Sequence, residues 1–334
     1  MCFWLLCACT LVEAQGSYSD TQNPVHGIFE QYLGTDPSHR GVQGTLSFLE
    51  LDGDLSPSFK LVGSVAFTPD WDWLEEEYAQ LNWKSNLFKF GRFRSPFGFN
   101  NWSEMYYTPF IGLPIIRGYG TEIVPNRSIN RQDGGVEAEG GGGALQYQLA
   151  VVDSAMSDWE VTPRQMDTAI GRLQVSGGQF MIGLDGFAKE SNHRSGPGEQ
   201  MAGIDFRWTA PRVQVRGEFV KGIGNQGTSG YYVDLFYRPP GLARTQLGAR
   251  VQGIDAYNKP SADSTSFKYY QTAPNEYGSE AIPSHSAGTL YTLAVRQFLT
   301  SNFTLDVNYG MGANIPQTNG LSGWSVQLQS TFRF

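Results

Sequence analysis

The sequence predicts an all-β protein: a transmembrane antiparallel β-barrel of about 16 strands, with a long third extracellular loop folded into the pore. Three observations carry that prediction. After residue 25, apolar and polar residues alternate with period two and almost nothing repeats at a helical period. The alternating segments run about nine to eleven residues, the length a tilted strand needs to cross a bilayer. The links between them alternate short and long, apart from a short link near 68–72 that sits in a long slot, as periplasmic turns and extracellular loops do when both termini are periplasmic.

Composition agrees. The 334 residues include 40 glycines and 17 prolines, and glycine alone far exceeds the roughly 7% usual in soluble proteins. Charged residues make up 17% and aromatic residues 13%, so polarity comes mainly from Gln, Asn, Ser, Thr and Gly. Such a mix suits strands better than helices. It argues against both charge-rich disorder and a helical membrane bundle.

At the N-terminus, the apolar run from Met1 to Val12 is too short for the ~20 residues of a spanning helix. With Ala14 preceding Gln15 it reads as a signal peptide over 1–14, followed by an N-terminal periplasmic segment over 15–25 and the barrel over 26–334. Cys2, Cys7 and Cys9 all lie in the leader, so the expected mature chain has no disulfide, thiolate metal site or cysteine nucleophile. Cys9 leaves a lipoprotein alternative open. Loss of Glu13 with the leader takes the formal charge from −8 to −7, which disfavours nucleic acid as a partner.

The strands are expected near 26–33, 41–51, 57–67, 73–83, 86–93, 133–140, 144–152 and 166–175, then 179–188, 201–208, 211–220, 230–238, 245–256, 288–297, 302–310 and 323–334. Leu145, Tyr147, Leu149 and Val151 alternate with Gln146 and Gln148. Val213, Val215 and Phe219 alternate with Arg212, Gln214, Arg216 and Glu218, and Tyr291, Leu293 and Val295 with Thr292 and Arg296. Phe303, Leu305, Val307 and Tyr309 alternate with Thr304, Asp306 and Asn308. In the last segment Trp324, Val326, Leu328, Phe332 and Phe334 oppose Ser325, Gln327, Gln329, Thr331 and Arg333. Short links are expected at 52–56, 84–85, 141–143, 176–178, 209–210, 239–244 and 298–301. The longest links span about 94–132 and 257–287. An even strand count suits closure of a bacterial barrel.

The polar phase defines a lumen. Arg172, Arg207, Arg212, Arg216, Arg250, Arg296 and Arg333, with Asp185, Asp205, Glu218, Asp234 and Asp306, fall opposite the lipid-facing set. So many charges would be prohibitive in a protein core; in a water-filled lumen they stay solvated and set ion preference. Sixteen strands enclose a space too wide for side chains to fill, which implies a channel for small hydrophilic solutes or ions.

The third long link, about 94–132, carries Phe97, Phe99, Trp102, Tyr106, Tyr107, Phe110, Ile111, Leu113, Ile115 and Ile116. A segment this apolar packs, and the surface at hand is the barrel interior. That would bring Arg94, Glu104, Arg117, Glu122 and Arg127 toward Arg172, Arg216, Asp234, Arg250 and Asp306, forming with Arg92 a pore-lining constriction. A lid or subunit-contact loop outside the pore is the alternative.

Two stretches resemble a known group. Lys89 to Phe99, KFGRFRSPFGF, is similar to the stretch leading into the third loop of the phosphate-selective porin O/P superfamily, matched at Gly91, Arg92, Phe93, Arg94, Pro96, Phe97 and Gly98. The closing Phe332-Arg333-Phe334 resembles the assembly signal read by the barrel-assembly machinery. The resemblance implies a Gram-negative outer-membrane porin that passes small solutes passively, anions such as phosphate among them, and a homotrimer in outer-membrane lipid.

Other motifs are bland. Gly222-Ile223-Gly224-Asn225-Gln226-Gly227 precedes a strand where a dinucleotide site needs a helix, and Asp52-Gly53-Asp54 has too few ligands for a calcium loop. His26, His39, His193 and His285 show no metal-ligand spacing. No metal, cofactor or catalysis is expected. A closed barrel acting as an adhesin, or a rim enzyme using His193 and Ser195, remains the alternative.

Overall fold

The structure is a computed structural model that describes residues 25–36, 39–67, 72–99, 108–110, 114, 116, 132–153, 163, 165–190, 199–223, 229–257, 285–313 and 323–333. The expected leader, Phe334, Glu104, Arg117, Glu122, Arg127, His193 and Ser195 lie outside these residues.

Sixteen strands appear among the described residues: β1 (Val25–Asp36), β2 (His39–Ser56), β3 (Phe59–Phe67), β4 (Asp72–Trp83), β5 (Asn86–Arg94), β6 (Gln132–Gly142), β7 (Leu145–Asp153) and β8 (Thr168–Gly177). They continue as β9 (Phe180–Lys189), β10 (Glu199–Thr209), β11 (Val213–Gly222), β12 (Ser229–Tyr237), β13 (Thr245–Tyr257), β14 (His285–Phe298), β15 (Phe303–Ala313) and β16 (Gly323–Arg333). Each pairs antiparallel with its neighbours in sequence, and β1 pairs with β16 from His26↔Arg333 to Gly34↔Ser325, closing the barrel. Closure leaves no unpaired edge, the condition for strands to cross hydrocarbon. Phe332 sits in that seam opposite Gly27.

The links after β2, β4, β6, β8, β10, β12 and β14 are short and fall at one end, the periplasmic end in such barrels; at the other end the links at 37–38 and 68–71 are short as well. Lys84-Ser85 is a two-residue turn with Lys84 at φ 57°. The expected turn at 52–56 is instead strand: β2 continues to Ser56 and turns at Pro57-Ser58. Asp-Gly-Asp is turn chemistry in isolation, but here its backbone is paired with β3 and a bulge between Asp54 and Ser56 absorbs the odd residue. Asp52 forms a buried ion pair with Lys60. Arg212, expected on the wall, lies in the exposed link before β11. After Gly222 the chain enters strand β12, so the glycine-rich run serves no βαβ unit.

The outer surface is apolar where the alternation placed it: Leu149, Leu184, Leu235 and Leu293 are all exposed, Leu293 at 62%. Near the short turns, aromatic rings form a girdle, with Trp83 against Phe88 at 6.5 Å and Phe180 against Trp208 at 6.4 Å between centroids. Leu293→Arg is expected to cost roughly 2–4 kcal/mol near mid-membrane, and its inward neighbour Thr292→Arg much less. Refolding titrations into lipid vesicles check this; equal costs would overturn the assignment of faces.

Candidate functional site

The inner wall of β8 to β15 carries one row of charge, and strand register sets its pairing. Arg172 lies opposite Asp185, Arg216 and Arg250 lie opposite Asp234 from its two sides, and Arg296 lies opposite Asp306. Arg172 donates to Asp185 and to Asp205, each at 2.9 Å. Arg216 and Arg250 reach one oxygen of Asp234 at 3.0 Å each. Arg296 grips Asp306 through both oxygens, at 2.6 and 2.7 Å, the geometry a planar guanidinium fork suits.

The third loop is seated on this row. Leaving β5, Ser95 donates to Asp133 on β6 at 3.3 Å. Phe97 then packs on Gly203 of β10, the Gly98 amide donates to Asp185 at 2.8 Å, and the Phe99 ring lies 5.9 Å from the guanidiniums of both Arg172 and Arg216. Further along, Pro109 and Phe110 pack on Gly248 of β13, Phe110 stacks on Arg250 at 4.1 Å, and the Asn308 amide of β15 donates to the Pro109 carbonyl at 2.8 Å. Phe97, Phe99, Phe110 and Ile116 are buried. The expectation of an inward-folded loop therefore holds for its described residues.

Gly203 and Gly248 make this approach possible. A Cβ at Gly248 would stand 2.7 Å from Pro109 Cγ and 3.1 Å from Phe110 Cζ; one at Gly203 would stand 3.1 Å from the Phe97 ring. No amphipathic pattern announces such residues.

One expectation needs correction. The charges of this paired row are not solvated. Arg172, Arg216, Arg250, Arg296, Asp234 and Asp306 are buried beneath the loop or against each other, because rings that cannot face water cover them and leave carboxylates as their partners. Arg94 pairs with Glu76 on its neighbour β4 at 3.6 Å. Arg92 is buried, in register with Glu77 and Gly134. Away from the loop, Lys89 of β5 pairs with Glu137 at 3.3 Å and Glu139 at 2.5 Å, a cluster the site prediction lacked. Toward the periplasmic end Gln174 joins Gln146 at 3.0 Å and Arg172 at 3.3 Å, continuing the polar inner face.

Neither a protein-family model nor a curated protein sequence matches the chain. Solved structures do. The anion-selective porin from Comamonas acidovorans superposes with a TM-score of 0.62 at 13% identity, over 93% of this chain and 98% of that one. OmpF of Salmonella typhi, in complex with daunomycin, gives 0.59 at 9% identity, over 93% and 97%. OmpT, an outer membrane protein of Vibrio cholerae, gives 0.58 at 11% in its trimer form, over 93% and 98%. At these identities the likeness establishes the fold, which is that of the Gram-negative outer-membrane β-barrels.

Proposed function

We propose that the chain is an outer-membrane porin, a water-filled conduit for passive diffusion of small hydrophilic solutes and ions. One observation carries this. A sixteen-stranded barrel is wide enough to leave an aqueous channel, and the described contacts of Phe97 to Phe110 gather the third loop on β8 to β15, so the loop narrows the lumen from one side. The likeness to solved outer-membrane proteins, an anion-selective porin among them, supports the reading. Planar-bilayer recording of the purified protein tests it: stepwise single-channel currents are expected, and a barrel that inserts without conducting would favour the adhesin or rim-enzyme alternative. On this reading the chain is a conduit and not an enzyme. Membership of the phosphate-selective O/P superfamily rests on the Lys89 to Phe99 stretch. Recognition of Phe332 and Phe334 by the assembly machinery rests on the C-terminal resemblance.

A homotrimer is part of the proposal, and β3 to β4 favour one place for its contact. Leu61, Ala79 and Leu81 face outward, while Val62, Tyr78 and Gln80 are buried inward, so alternation puts Glu77 outward opposite Gly63. Glu77 is exposed and stands six residues up from the girdle residue Trp83, about 15 Å at ordinary strand rise and tilt. A carboxylate there is unfavourable against lipid but tolerable against a neighbouring subunit. Glu77→Leu is expected to shift the unheated protein from trimer toward monomer on a detergent gel; an unchanged oligomer would remove Glu77 from the contact.

A further inference from the structure

Resting on the channel reading, we propose that this pore prefers cations, and that Asp234 is the residue holding two arginines of its wall out of ionic play. Phosphate or any other anion would need basic side chains presented to the lumen, and the described wall withdraws most of them, leaving Arg207 half-buried opposite Arg216. Among the described residues the buried cationic side chains are Lys60, Lys89, Arg92, Arg172, Lys189, Arg216, Arg250 and Arg296. The buried carboxylates outnumber them: Asp52, Asp133, Glu137, Asp153, Asp167, Asp185, Asp205, Glu218, Asp234 and Asp306. The partition of exposure sharpens the asymmetry. Arg172, Arg216, Arg250 and Arg296 have side chains less than 10% exposed, and Arg250 is stacked under Phe110. Within the described ion pairs the most exposed group is an acid, Glu139 at 27%, sharing Lys89 with Glu137. A permeating ion therefore meets carboxylate oxygen more readily than guanidinium. Within the ~8–10 Å over which salt leaves a charge unscreened, that excess attracts cations and repels anions.

Asp234 is central because, among the described residues, it alone faces two guanidiniums in register. Its carboxylate is fully buried between Arg216 and Arg250, on the strand between theirs. Neutralising it leaves two positive charges on β11 and β13 with one partner fewer, directly beneath the third loop.

Reversal potentials of the full-length protein in planar bilayers under a potassium chloride gradient test the proposal. The wild-type channel is expected to have a potassium-to-chloride permeability ratio above unity. Asp234→Asn is expected to move it toward chloride. Glu139→Gln leaves the buried row intact, and is expected to move the ratio toward unity. A conducting wild-type channel with zero or chloride-directed reversal potential overturns the ion preference while leaving the channel reading standing. No conductance overturns both. A folded Asp234→Asn barrel with an unchanged ratio overturns the masking role assigned to Asp234, and an unchanged Glu139→Gln ratio overturns the exposed-acid argument.

Discussion

Replacing residues 97–131 with a short glycine-serine link is expected to raise single-channel conductance about twofold or more, because a lumen of this strand number is narrowed chiefly by what folds into it. The barrel itself should survive. Its sixteen strands hold one another through ladder hydrogen bonds closed by the β1 and β16 seam, and none of the replaced residues belongs to that ladder. What is lost is the burial of Phe97, Phe99, Phe110 and Ile116, each contributing about 1.5–3 kcal/mol to seating the loop. The wall beneath should tolerate exposure, since Arg172, Arg216, Arg250 and Arg296 keep their carboxylate partners when water replaces the rings. Conductance left unchanged in a folded barrel would mean that the narrowest point lies elsewhere.

The parts of this site legible in the sequence are those written in alternation. Strand β7 is expected at 144–152 and found at Leu145–Asp153, and the inward positions of Arg172, Arg216, Asp234, Arg250 and Asp306 follow from phase alone. Phase says nothing about what lies across from a residue. That Arg216 and Arg250 share Asp234 is a matter of strand register, set jointly by links and bulges along the chain. Asp52-Gly53-Asp54 reads as a turn by residue type and is strand by pairing, because a local preference yields when β3 supplies the hydrogen bonds. The loop's inward fold was legible because its aromatic residues have nowhere else to go. Its resting place was not: Gly203 and Gly248 lack the side chains that would mark them as sockets, and Asn308 has the same phase as any other inward polar residue. Solvation is not legible for the same reason, since period two shows that a charge faces the lumen but not whether another segment covers it.

Gly248→Leu should therefore act on the loop without acting on the barrel. The glycine lies in β13 opposite Ala294 of β14, and even a single Cβ would press Pro109 at 2.7 Å, a contact closer than side chains make. Leucine adds three more carbons on the same side. The backbone on both flanks is paired, so Pro109 and Phe110 are what must give way. Lifting them breaks the Asn308 bond to the Pro109 carbonyl and separates Phe110 from Arg250. Together those contacts contribute about 1–3 kcal/mol. The loop remains tied at its β5 end by Ser95 to Asp133 and by Gly98 to Asp185, so it cannot leave the lumen and must lie across it. The expected result is the reverse of replacing the loop: lower mean conductance, larger open-channel current fluctuations, and faster protease cleavage within residues 100–131. Thermal unfolding of the barrel should scarcely change. Wild-type conductance together with wild-type protease resistance would show that the loop tip is not held at Gly248.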